Sequence, residues 1–198
     1  MSLRTLENYL LLFILLTAPL FSQRSLSRAN IGLEYGTWKP SSLDDFPSQP
    51  LTNITGAEPY IGVTFTTPIV KSHSLRFSIM QWRQELLEEV GLDAVTLRHL
   101  SADLKYYVLP EYTVSPYASY GVAAIWSREY PMNYQDEHIT PNRAGWGFNL
   151  GAGIDFLLVK HLGLGVEYQY LYALFTKRVG LTSNYSGPKF SLKFFYIF

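Results

Sequence analysis

Lys189-Phe190-Ser191-Leu192-Lys193-Phe194-Phe195-Tyr196-Ile197-Phe198 closes the chain. It places Phe190, Leu192, Phe194, Tyr196 and Phe198 on one parity, with Ser191 and Lys193 on the other. A period of two is one face of a β-strand. In water a terminal strand with a bare apolar row is an aggregation hazard unless another layer covers it. Lipid is a layer that can do so, and the reading of every earlier segment follows from that possibility.

Working back from the C-terminus, the same period recurs. Leu162, Leu164, Val166, Tyr168, Tyr170 and Tyr172 oppose Gly163, Gly165, Glu167 and Gln169. Trp146, Phe148, Leu150, Ala152, Ile154 and Phe156 alternate with Gly145, Gly147, Asn149, Gly151, Gly153 and Asp155, the clearest pattern in the chain. The alternation over 116–126 is the weakest. Leu100, Ala102, Leu104, Tyr106 and Val108 face away from Ser101, Asp103, Lys105 and Tyr107, and three further segments lie at 30–38, 60–67 and 75–82. Ser-, Pro- and Asp-rich residues 40–56 and polar residues 127–143 read as long loops, 176–188 as the last loop, and 68–74, 109–115 and 159–161 as short turns. The charged stretch 84–92 is open between a helical turn and a strand extension. An even number of strands, with short turns on one rim and long loops on the other, is the transmembrane layout. The expected fold is therefore all-β: an eight-stranded antiparallel transmembrane β-barrel in up-and-down meander order.

The second face decides which way the barrel is turned. A soluble lipocalin-like barrel points its apolar rows inward, and Gly36-Thr37-Trp38 matches the first-strand motif of such proteins over three residues. Here the other face carries Glu34, Arg76, Asp103, Lys105, Asn149, Asp155, Glu167, Gln169 and Lys193, which makes a poor apolar pocket. Each basic group turned to mid-bilayer hydrocarbon would cost about 2 to 4 kcal/mol. The apolar rows thus meet lipid, and the last strand must close on the first, because open edge amides are not tolerated there. The lumen network expected from this is Glu34, Arg76, His99, Asp103, Lys105, Asp155, Glu167 and Lys193. Four acids face three bases, with His99 as a potential fourth cation, and the pairing is not readable. Trp38, Met80, Trp82 and Phe195 add bulk, so a closed, ion-paired plug is expected. By parity alone, Ile154→Arg is costly and its lumen neighbour Gly153→Ser is mild.

The chain has 198 residues, a formal net charge of +0 and 16% aromatic residues. That length suits one domain. The charge balance does not point to nucleic acid, and the aromatic content suits anchoring at two membrane interfaces. There is no Cys, which excludes disulfides, Cys-ligated zinc, a thiol nucleophile and a lipoprotein anchor. Arg4, the apolar run 9–16 and Thr17-Ala18-Pro19 form a signal-peptide pattern too short to span a bilayer as a helix. The expected division is a signal peptide over 1–22 and a barrel domain over 23–198.

The segments Gly147 to Asp155, Leu164 to Tyr168 and Phe194 to Phe198 resemble the small outer-membrane barrels grouped around OmpX, OmpW and the barrel domain of OmpA. The ending, with Phe194, Tyr196 and Phe198 on one row, resembles the C-terminal signal read by the barrel assembly machinery. The resemblance implies a bacterial outer-membrane protein in contact with outer-membrane lipid and lipopolysaccharide, holding no cofactor. It implies a structural or surface-interaction role, with an extracellular partner met at the first and third long loops. The alternatives are a narrow porin-like channel for small or hydrophobic solutes and a lipid A-modifying enzyme. His99 and Ser101 resemble the His-x-Ser of the lipid A deacylases, with Asp103 as orienter, although residues two apart on a strand sit about 7 Å apart, too far for a direct hydrogen bond. Asp44-Asp45 and Asp136-Glu137-His138 show no recurring metal-ligand spacing, and solvated loop charge explains them better. No catalytic, cofactor or metal residue is therefore expected.

Overall fold

Strand pairing runs around a complete circuit in the computed structural model, which describes residues 28–41, 57–85, 92–131 and 142–198. Nine strands are formed by the described residues: β1 (Asn30–Trp38), β2 (Glu58–Val70), β3 (His73–Glu85), β4 (Leu92–Tyr107), β5 (Val114–Pro131), β6 (Arg143–Val159), β7 (Leu162–Val179), β8 (Thr182–Asn184) and β9 (Gly187–Ile197). All neighbours are antiparallel. Each of β1 to β7 pairs with the next in sequence, β7 pairs β9, and β9 closes on β1, which makes an eight-stranded meander barrel. The remaining strand, β8, is a short ribbon on the end of β7.

The apolar rows face outward, as the period of two requires. Leu33 is 60% exposed beside Glu34 at 5%, and Leu192 is 52% exposed beside Lys193 at 4%. The seam between β1 and β9 is regular from Asn30↔Ile197 to Trp38↔Lys189. Beyond it, the Phe198 amide donates to Ala29 O at 3.0 Å, while the Phe194, Tyr196 and Phe198 rings stand on the outer surface. Deleting Phe198 removes that last seam bond and the terminal aromatic together. The deletion is expected to leave most of the protein in the periplasm, scored by membrane fractionation and the heat-modifiable gel shift. Wild-type membrane levels would refute a role for Phe198 in assembly.

The structure departs from the sequence reading at the rim. Residues 127–131 extend β5 and 176–179 extend β7, both of which read as loop. Above the membrane the outward row becomes polar, at Arg128 and Thr176 for example, so the alternation in hydrophobicity fades while the hydrogen-bond ladder continues. The 176–188 loop also contains β8, reached through a tight turn in which Gly180 adopts a φ of 54°. That left-handed conformation suits the twist of a two-residue hairpin and favours glycine. Gly153→Ser is not mild either, because a Cβ there would lie 2.5 Å from both the Tyr117 hydroxyl and the Val166 carbonyl oxygen. The lumen ring is already packed against the bare backbone. The signal-peptide reading over 1–22, both acidic loop motifs and residues 86–91 of the ambiguous stretch lie outside the described residues.

Candidate functional site

The lumen divides into three layers, each set by inward positions of several strands. Toward the turn rim, Tyr107, Tyr117, Leu157, Phe195 and Ile197 form an apolar floor. Toward the loop rim, Trp38, Met80, Trp82, Leu97, Ile125, Leu171 and Phe175 form a larger apolar cap. Tyr185 folds down from the connection after β8 into that cap, with its ring centroid 6.0 Å from Trp82 and 5.7 Å from Phe175. Its hydroxyl donates to Val179 O at 2.8 Å, and burial raises the pKa of the phenol.

Between floor and cap lies the polar band. Arg76 on β3 is its hub. Nε and Nη2 donate to Asp103 Oδ2 on adjacent β4 at 3.2 and 2.9 Å, and Nη1 donates to Glu167 Oε2 on β7, across the lumen, at 2.5 Å. Glu167 also pairs with Lys193 and accepts from Ser119 at 2.8 Å and Gln169 at 3.0 Å. Asp103 accepts in addition from Asn149 and Ser101. Lower down, Asp155 accepts from Lys105 at 2.6 Å and from Tyr107 at 2.7 Å. Lys193 donates to the Tyr117 hydroxyl, and Lys105 lies 3.6 Å from the Tyr117 ring centroid, a cation–π contact. Each charge is thus taken out of bulk water with a partner in place, the condition for burying it at all.

Six of the eight sequence-derived lumen residues, Arg76, Asp103, Lys105, Asp155, Glu167 and Lys193, meet in this one network. Glu34 sits apart and accepts from Tyr60 at 2.6 Å. His99 is buried but neither ring nitrogen has a hydrogen-bond partner. The fourth base opposite the four acids is Lys189, whose ammonium donates to Gln169 at 3.4 Å and lies 4.8 Å from the Tyr60 ring centroid. Lys189, Tyr60, Tyr107 and Tyr117 all lie on the inward parity of their strands, and continuing the period-two rule through them was the signal that identifies them. Ser101 bonds Ser78 at 2.6 Å and the Asp103 carboxylate at 3.1 Å rather than His99, so the His-Ser contact that the resemblance to the deacylases would need is not formed. Among the described residues no cluster of His, Asp and Glu is arranged to hold a metal.

Comparison with known proteins agrees with this geometry. The family description "Outer membrane protein beta-barrel domain" matches residues 9–198. No curated protein matches the chain. Among solved structures, Neisserial surface protein A superposes with a TM-score of 0.60 at 12% identity, covering 86% of this chain and 97% of its own. OprG of Pseudomonas aeruginosa gives 0.59 at 15%, covering 89% and 99%. Ail, the attachment invasion locus protein of Yersinia pestis, gives 0.52 at 15%, covering 88% and 99%. At such identities the likeness is one of fold.

Proposed function

The chain belongs to the outer membrane protein β-barrel family and resides in the bacterial outer membrane, and from that premise we propose that it is a structural and surface-interaction barrel whose lumen is closed to solutes. The observation that supports this reading is the span of Arg76, which ties β4 to β7 across the interior through Asp103 and Glu167. Eight strands leave an interior about wide enough for side chains alone. Here the floor and cap are apolar and the band between them is charge-balanced, with Arg76, Lys105, Lys189 and Lys193 against Glu34, Asp103, Asp155 and Glu167. Paired charges attract neither an ion nor a column of water. Work at the cell surface then falls to the long connections between β1 and β2 and between β5 and β6, where an extracellular partner would be met.

The test is electrical. Purified full-length protein in planar bilayers is expected to show no steady unitary conductance above the lipid background. A reproducible current whose ion selectivity shifts in Lys193→Gln would overturn the closed lumen and make the barrel a pore.

A further inference from the structure

A hairpin crosses the outer mouth of the barrel. β6 begins at Arg143, level with Ser127, and its outermost rung with β7 is Gly145↔Phe175. β5 runs on to Pro131 and β7 to Val179, so both stand clear of β6 above that level. The ladder between β7 and β9 ends at Leu171↔Gly187. Residues 176–185 therefore carry no rung of the ladders that close the circuit, and their strand pairing is that of β7 with β8, at Val179↔Thr182 and at the base Leu174↔Asn184. A two-stranded hairpin is marginal by itself in water. What keeps this one folded is what it touches.

Lys177 and Val179 share the inward parity of β7, yet Lys177 is exposed and Val179 fully buried, so the strand bends over the mouth between them. Val179, Leu181 and Tyr185 enter the apolar cap. The Tyr185 ring fills a box of three others, with centroids 6.4 Å from Trp38, 6.0 Å from Trp82 and 5.7 Å from Phe175. At the tip, the Gly180 amide donates to Glu129 Oε1 on β5 at 2.5 Å, bridging over β6. Arg143 lies 3.9 Å from the other oxygen of that carboxylate. The closed position carries a cost. In the box that Tyr185 fills, the indole nitrogens of Trp38 and Trp82 are buried with no hydrogen-bond partner among the described residues. A buried unpaired donor favours any state in which water reaches it. Apolar burial and one latch thus hold the hairpin down over unpaired groups.

We infer that residues 176–185 are a hinged lid over the outer mouth of the lumen, pinned at the tip by Glu129 and plugged by Tyr185. The hinges are Phe175, where the rungs to β6 end, and Ser186, just before β9. Ser186 is fixed in place, its hydroxyl accepting from the Ala173 amide at 3.0 Å and its carbonyl from the Ser41 amide at 2.8 Å. Lifting the lid breaks the latch and empties the box, while every rung of the closed circuit stays made. Lids of this kind move about a few residues at element ends. The open state is a vestibule floored by the polar band, not a path through the barrel, so the lid and the seal of the band stand or fall separately.

Two measurements on the full-length barrel in nanodiscs test the lid. In the unmodified protein, hydrogen exchange read by mass spectrometry should show the amides of 176–185 exchanging as one block, at least about tenfold faster than the β6 and β7 rungs below Phe175. The second uses a single thiol, which reports on a silent background because the chain has no Cys. Ala123→Cys places it in the cap, in one cluster with Val179 and Tyr185. Ser191→Cys places it in the polar band, at the register partner of Glu167. A small charged methanethiosulfonate should label Ala123→Cys at least about tenfold faster when Glu129→Ala is added, since a hydrogen bond to a carboxylate is lost. Adding Glu129→Gln instead should keep the rate within about threefold of the parent, because an amide oxygen still accepts from Gly180 although the charge facing Arg143 is gone. Ser191→Cys should hold its parent rate in both backgrounds. A normal heat-modifiable gel shift identifies each folded variant. An unchanged Ala123→Cys rate in folded Glu129→Ala would overturn the lid, and so would equal acceleration at Ser191→Cys, the mark of a general loosening. If Glu129→Ala does not fold, exchange decides: hairpin amides no faster than the rungs below Phe175 would overturn it.

Discussion

Glu167→Ala is expected to lower the unfolding free energy by about 3 to 5 kcal/mol, the cost of breaking a buried ion pair by removing one partner. Glu167 is 1% exposed and receives Arg76, Lys193, Ser119 and Gln169. Its loss leaves two buried cations competing for what remains. Arg76 retains Asp103, but Lys193 retains no carboxylate and keeps Tyr117, through its hydroxyl and its ring. The internal comparator is Lys71–Glu111, an ion pair of 2.6 Å on the turn rim with side chains 71% and 58% exposed. Water screens that pair, so Glu111→Ala should cost less than about 1 kcal/mol. Reversible urea unfolding in lipid vesicles measures both. Equal costs would mean that the lumen band is hydrated and the plug is not dry. The network need not make the barrel more stable than an apolar filling would, since desolvation offsets much of the attraction. What it adds is a set of fixed cross-lumen distances.

Leu150→Arg is expected to cost about 2 to 4 kcal/mol, whereas Leu158→Arg on the same strand should cost about 0 to 1. The two leucines are similarly exposed, at 60% and 56%, and both lie on the outward row of β6. They differ in depth. Leu150 is next to Ala152 in the middle of the row that runs from Trp146 to Leu158, while Leu158 sits at the turn rim, where a guanidinium reaches headgroups and water. The same urea titrations score the pair. A solvent-facing sheet would make both substitutions mild, and a soluble protein core would make both severe, so only a lipid belt yields the gradient.

Much of this architecture was legible in the chain because a strand's side chains have a period of two. Once the final strand, β9, was read as lipid-facing, the inward residues of every other strand followed from parity, from Glu34 to Lys193. Lipid also forbids an open edge, so closure of β9 on β1 followed without any knowledge of contacts. The family resemblance carried by Gly147 to Asp155 and by the Phe198 ending pointed to the outer membrane for the same reason: these patterns record what touches the bilayer.

The pairing inside the lumen was decided only by the tertiary structure. Parity tells which face a residue lies on, but not its height on the barrel axis or which strand stands across from it. Those depend on strand tilt and stagger, which no single segment encodes. Arg76 and Glu167 are 91 positions apart and meet because β3 and β7 face each other across the closed circuit. Stagger likewise brings Lys189 to Gln169 and the Tyr60 ring, and leaves His99 under the aromatic cap without a partner. The rim was illegible on different grounds. Where β5 and β7 rise out of the membrane, the outward side chains turn polar and the alternation vanishes, yet the backbone ladder continues to pair. Arg83, Arg98 and Arg128 lie on three different strands, and only the register of β3, β4 and β5 brings them to one side of the loop rim.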